Sequence, residues 1–154
     1  MSGKQLTLIA VALVLAGLCL YVNRDSFTPE GIQIYHRSVQ RLAFYRRGRP
    51  DNSAVYPVFF GLSRRFKLTE VKVISVAELA TNKYPHALWD LVSASNSVPT
   101  KGFAYGTYIP GMQPKVKGVP PDPLDPGVQY RLIVRAGSQK GEHDFTATPR
   151  TPSP

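Results

Sequence analysis

Proline and glycine punctuate this chain about once in every six residues, with 14 and 12 of them among 154. Proline removes a backbone donor and breaks helix interiors, while glycine supplies the conformations of tight turns. So dense a scatter argues against a helical bundle and for short strands joined by turns. The length suits one modest domain plus an appendage and is too short for two full domains. Hydrophobic residues make up 43% of the chain and charged ones 19%, which is no disordered polyelectrolyte. The single cysteine, Cys19, excludes an intramolecular disulfide and a Cys-based zinc or iron–sulfur site within one chain.

The stretch least broken by turn residues is at the N-terminus. A short polar start, residues 1–5, precedes an uncharged apolar run, residues 6–22 (LTLIAVALVLAGLCLYV). As a helix this run spans about 25 Å, near the lower limit for crossing a bilayer core. Tyr21 suits a membrane interface, and Arg24 follows in water. An uncleaved transmembrane anchor, a cleaved signal peptide and a buried helix compete for this segment. Cleavage after Val14-Leu15-Ala16 leaves an apolar start on the mature chain, and Leu18 before Cys19 breaks the lipoprotein pattern. The anchor fits the length and continuity best. With residues 1–5 cytoplasmic, it expects a single pass through a bacterial inner membrane and a C-terminal domain in the periplasm or outside, after a linker over 23–30. Secretion after signal cleavage is the alternative. The charge bias is weak, since Lys4 on one side faces Arg24, Arg37 and Arg41 on the other.

Beyond residue 30 the apolar residues alternate in short runs, which predicts strands over 31–36, 55–61, 67–77, 87–92, 102–109, 128–136 and 142–148. A basic loop over 37–54 with one turn of helix, a turn at Ser63-Arg64-Arg65 and a long loop over 110–127 with six prolines separate them. Seven strands with turn signals between them predict an all-β, antiparallel β-sandwich over 31–148. The Pro-rich tail, 149–154, is expected to be extended and disordered.

The most informative stretch is Leu124-Asp125-Pro126-Gly127-Val128-Gln129-Tyr130, followed by alternating Arg131-Leu132-Ile133-Val134-Arg135-Ala136. It resembles the turn before, and the start of, strand F in fibronectin type III and related Ig-like domains. Trp89, Phe103-x-Tyr105-Gly106, Pro110-Gly111 and a final strand ending in Phe145 are similar to small bacterial membrane-anchored proteins with one such domain. The resemblance covers about residues 66–148. It departs from ordinary fibronectin repeats in the long Pro-rich loop and the basic segment. It implies that Leu124 plugs the core and Pro126-Gly127 turns the corner. Tyr130 then packs its ring inward and satisfies a backbone group just upstream. Leu132 and Val134 then point inward, and Trp89 is a central core residue. Such a fold carries no function by itself.

Charge is unevenly spread. Residues 37–67 hold Arg37, Arg41, Arg46, Arg47, Arg49, Arg64, Arg65 and Lys67 against Asp51 alone, which is seven of the net nine positive charges. The plainer reading is a solvated juxtamembrane linker. The functional reading is contact with anionic lipid head groups or acidic polymers through Arg41, Arg46, Arg47, Arg49, Arg64 and Arg65. No recognised nucleic-acid-binding motif is present, so nucleic acid is not expected as a partner.

Chemistry-bearing constellations are missing. His36, His86 and His143 lie at least fifty residues apart, with no metal-ligand spacing, and read as surface or edge histidines. There is no nucleophile elbow, and Ser93, Ser95 and Ser97 form a polar turn. No glycine-rich phosphate loop precedes a helix. No cofactor or metal is expected. The sequence therefore predicts a membrane-anchored, non-catalytic interaction or scaffold module with a protein partner. A binder of anionic lipid or acidic polymer through 37–67 is the alternative, and an enzyme with an unrecognised site is the third reading.

Overall fold

The computed structural model describes residues 5, 11–15, 17, 31–39, 54–93 and 97–150. The chain divides into two units, Met1–Glu30 and Gly31–Pro154. In the first, Gln5, residues 11–15 and Gly17 are helical, and Val11, Leu13, Val14 and Leu15 are exposed. Among the described residues no helix is long and apolar enough to cross a membrane. Most of the expected span over 6–22 lies outside the described residues.

Among the described residues, the second unit holds two antiparallel sheets. Strands β1 (Ile34–Ser38), β2 (Val58–Phe66) and β5 (Thr100–Ala104) form a three-stranded sheet in the order β1-β2-β5. Strands β3 (Glu70–Ser75), β4 (Ala87–Ser93), β6 (Met112–Pro114), β7 (Gln129–Ala136) and β8 (Gln139–Thr146) form a five-stranded sheet in the order β6-β4-β3-β7-β8. Side chains alternate between the faces of a strand, so each sheet turns one apolar row inward. Val58, Phe60 and Leu62 of β2 meet Val71 and Val73 of β3, Trp89 and Leu91 of β4, and Leu132 and Val134 of β7 in one core. This is a β-sandwich arrangement. Aromatic rings fill its centre: Phe60 lies edge-on to Phe145 at 4.9 Å between centroids, and Trp89 edge-on to Tyr105 at 5.3 Å.

The segment before β7 turns as its residues dictate. Gly127 holds φ +76, a region open to glycine at little steric cost. Leu124 is buried beneath the turn, and the Tyr130 ring is only 2% exposed. The Tyr130 hydroxyl accepts a hydrogen bond of 2.9 Å from the Asp125 amide. Leu132 and Val134 are fully buried, and Arg131, Ile133 and Arg135 lie on the other face. A two-residue turn, Gly137-Ser138, then reverses the chain, since Ala136 pairs with Gln139.

Several expectations are corrected. Among the described residues the strands number eight, because β6 lies inside the proline-rich 110–127 segment. Proline bars a central strand but not a three-residue edge strand, and Met112, 5% exposed, supplies the buried anchor. Ser63-Arg64-Arg65 is not a turn but part of β2. Between Gly61 and Phe66 the register with β5 shifts, so five steps along β2 match two along β5, as in a bulge. Leu62 and Phe66 stay buried on either side, which keeps the strand in place. Strand β3 ends at Ser75, and Val76–Thr81 is a short helix, for which Ala77, Glu78, Leu79 and Ala80 have good propensity. Strand β5 ends at Ala104 rather than Ile109, because residues 105–107 turn. Pro149 bridges Val55, and the Arg150 amide bonds to the Ala54 carbonyl, so the expected tail is tied down at its start. Residues 151–154 lie outside the described residues, as do 40–53 of the basic loop and Ser95.

Strand β1 also closes the gap between the sheets. The Ile32 amide bonds to the Lys140 carbonyl at 3.1 Å, and the contacts His36 to His143 and Ser38 to Thr148 follow in the same direction along both strands. At Gly141 an added Cβ would collide with the Ile32 carbonyl, so the close approach requires glycine.

Two outcomes follow from this geometry. Tyr130→Phe is expected to lower unfolding free energy by about 1 kcal/mol in urea denaturation, the usual net value of one hydrogen bond. Burial holds the Tyr130 phenol above its ordinary value of 10.0. Its contribution is complete below that value and is lost as pH rises above it, so the Phe variant should show a shallower alkaline loss of stability. Gly141→Ala is expected to cost about 1–3 kcal/mol by the same measurement, since the clash is with backbone. An unchanged midpoint would mean that the seam between β1 and β8 is open.

Candidate functional site: a sheet without carboxylates

The two sheets differ in how their charges are matched. Every Lys and Arg on the strands of the five-stranded sheet has a carboxylate partner. Lys72 lies 3.2 Å from Glu70 and 3.6 Å from Asp90, and Arg135 lies 3.3 Å from Glu70. Lys140 pairs with Glu142, and Arg131 makes a two-pronged contact with Asp144 at 2.6 and 2.8 Å. The guanidinium hydrogen bonds hold the Asp144 carboxyl below the usual carboxylate range and raise Arg131 in turn. Lys115, just after β6, reaches Asp90 at 3.6 Å.

The three-stranded sheet is the opposite. Its strands IYHRS, VFFGLSRRF and TKGFA carry Arg37, Arg64, Arg65 and Lys101 and no Asp or Glu. All four cations are exposed, as is Lys67 just past β2. None of the five has a carboxylate partner among the described residues.

The bulge in β2 places three of these cations together. Arg64, Arg65 and Lys67 line a shallow groove of about 410 Å³ with Phe66, Ala136, Gly137 and Gln139, beside the β7–β8 turn. The Arg64 guanidinium lies 5.0 Å above the Phe66 ring, which orients it without neutralising it. The groove therefore offers clustered cations, backbone at a glycine turn and an amide side chain, a set suited to anionic groups.

Of the residues singled out from the sequence, Arg64 and Arg65 are in this groove. Arg41, Arg46, Arg47 and Arg49 lie outside the described residues, in the segment that joins β1 to β2. Trp89, Leu124 and Tyr130 are buried in the core, and Pro126 and Gly127 form the exposed corner. Sequence reasoning missed Lys101, which is 36 residues downstream of Arg65 and joins the cations only through β2–β5 pairing.

A second concavity lies at the other edge. The loop over 115–122 arches from β4, with the Lys115 amide bonded to the Asp90 carbonyl at 3.0 Å and the Asp122 amide to the Leu88 carbonyl at 2.9 Å. Beneath it is a mainly apolar cleft of about 340 Å³. At its mouth His86 Nε2 lies 2.7 Å from Asp122 Oδ2. Tyr105 donates to the Asp122 carbonyl at 2.7 Å, and burial raises its phenol far above the ordinary range. A histidine oriented by a carboxylate is half of a nucleophile-activating set. Among the described residues no hydroxyl or thiol is hydrogen-bonded to His86, so the other half is missing.

No protein-family model matches this chain, and no curated protein or solved structure matches it either.

Proposed function

We propose that this chain is a non-catalytic interaction module of the fibronectin type III/Ig-like class, tethered to a membrane by its N-terminal apolar run, whose three-stranded sheet docks on anionic lipid head groups. The observation that carries the reading is the segregation of charge. One sheet neutralises its own cations, whereas the other presents Arg37, Arg64, Arg65 and Lys101 with no acid on its strands. Each cation near an anionic membrane surface contributes about 1 kcal/mol, so this set and the arginines of 41–49 together give useful affinity without a deep pocket. The tether supports the reading by holding the sheet within reach of head groups. Its own support is the uncharged run over 6–22, in which residues 11–15 are helical and exposed. The class assignment is supported by the two packed antiparallel sheets and by the Tyr130 hydroxyl bonded to the Asp125 amide before β7.

The test is retention of the full-length protein, in neutral detergent, on beads coated with phosphatidylglycerol and on beads coated with phosphatidylcholine. Retention is expected on the first alone, with elution at rising salt because exposed charges are screened. Replacing Arg64, Arg65 and Lys67 together by Gln should move elution to clearly lower salt without changing the thermal midpoint by more than about 2 °C, since these residues are exposed. Equal retention on both lipids, or retention that ignores salt, would overturn the proposal.

A further inference from the structure

His36 and His143, 107 residues apart in sequence, meet where β1 passes β8 at the seam between the two sheets. Nδ1 of His36 lies 2.7 Å from Nε2 of His143, with ring centroids 4.9 Å apart and ring planes tilted by 53°. His36 is exposed and also packs against the Phe145 ring, 6.0 Å away, which limits its rotation. His143 is half-buried, on the same face of β8 as Gly141 and Phe145. The neighbouring carboxylates are elsewhere: Glu142 and Asp144 occupy the opposite face of β8 and engage Lys140 and Arg131. The two imidazoles therefore face one another through nitrogen atoms that can both act as donors to a cation, with a path from solvent.

We propose that His36 and His143 form a two-imidazole site for a late first-row divalent ion, of the Cu²⁺ or Zn²⁺ kind, that clips the three-stranded sheet to the five-stranded one. Metal–nitrogen bonds of about 2.0–2.1 Å at angles of about 90–110° put the two nitrogens roughly 2.9–3.4 Å apart. The nitrogens part by a few tenths of an ångström, and both rings swing out of their head-on arrangement so that each lone pair turns from the other ring to the ion. Imidazole suits these metals, and Cu²⁺ binds more tightly than Zn²⁺ at a given set of donors. Two protein ligands leave the remaining positions to water or to an outside ligand, so the site is open.

The fold supplies the selectivity for the native state. In an unfolded chain the two histidines are separated by a long loop, and the ion would have to offset the entropy cost of closing it. In the native state they are already adjacent, so the ion binds the folded protein preferentially and stabilises it. His86 offers a comparison within the same chain. It is exposed too, but its partner is the Asp122 carboxylate, not a second imidazole.

The experiment uses the untagged full-length protein in neutral detergent, titrated with Cu²⁺ and separately with Zn²⁺. One ion per chain is expected. The Cu²⁺ electron paramagnetic resonance spectrum should show coupling to two imidazole nitrogens, and Zn²⁺ should raise the thermal midpoint by a few degrees. His36→Gln and His143→Gln should each weaken binding at least tenfold and remove the thermal shift, whereas His86→Gln should leave both unchanged. The proposal is overturned if neither ion binds, or if the wild-type spectrum shows one nitrogen or none, a reading that needs no variant. It is equally overturned if both glutamine variants, folded by circular dichroism, bind as the wild type does.

Discussion

The inward row of β7 is the constraint on which this domain depends. Tyr130, Leu132 and Val134 are buried in sequence-alternate positions, and β7 is paired on both sides, with β3 and with β8. A slip of one residue would turn Arg131 and Arg135 into the core, so burial fixes the register more strongly than any single hydrogen bond. The Tyr130 hydroxyl then fixes where the strand begins, because it reaches the Asp125 amide only when Pro126 and Gly127 have made their turn. Strand start, strand register and sheet neighbours are thus set within one stretch of about a dozen residues.

With that frame in place, the surface charges obey a different rule. The outer face of β3, β7 and β8 mixes acids and bases, and cross-strand pairs such as Arg131 with Asp144 stabilise the sheet modestly while cancelling its field. The three-stranded sheet gives up that benefit. Its cations are exposed, so water and salt screen their repulsion over about 8–10 Å and the cost to folding is small. What remains is a one-signed field at the bulged end of β2, where Arg64, Arg65 and Lys67 crowd beside the β7–β8 turn. A bulge is the means by which three consecutive exposed residues remain on a strand that is buried at both flanks.

The sequence made some of this legible and hid the rest for identifiable reasons. The corner before Tyr130 could be read because its turn residues and its aromatic anchor are adjacent in the chain. The excess of positive charge over 37–67 could be read as well, but its meaning could not, since the absence of acids from β5 becomes relevant only once β5 is known to pair with β2. Strand β6 was hidden by Pro110 and Pro114, which signal a loop although an edge strand tolerates proline at its end. Ser63-Arg64-Arg65 looked like a turn because polarity is a poor guide to a bulge whose anchors, Leu62 and Phe66, lie outside it. The contact of His36 with His143 is a product of tertiary structure alone, and no spacing rule could have found it.

The seam between β1 and β8 shows how the sandwich limits its exposed edges. β8 would otherwise present a full row of unpaired backbone groups, a template for association with another chain. The chain entering β1 covers the first part of that row, with the Ile32 amide on the Lys140 carbonyl and Ile32 itself only 3% exposed. Gly141 permits the approach because it has no side chain to keep the strands apart. Farther along, the cover changes from backbone to side chains, first the two histidines and then Thr148 on Ser38 at 3.3 Å. Residues 54–56 complete it by pairing with 148–150 through the Val55–Pro149 bridge. The closure therefore uses backbone hydrogen bonds at its two ends and polar side chains in the middle, and the middle is where the proposed ion would act on how firmly the two sheets are joined.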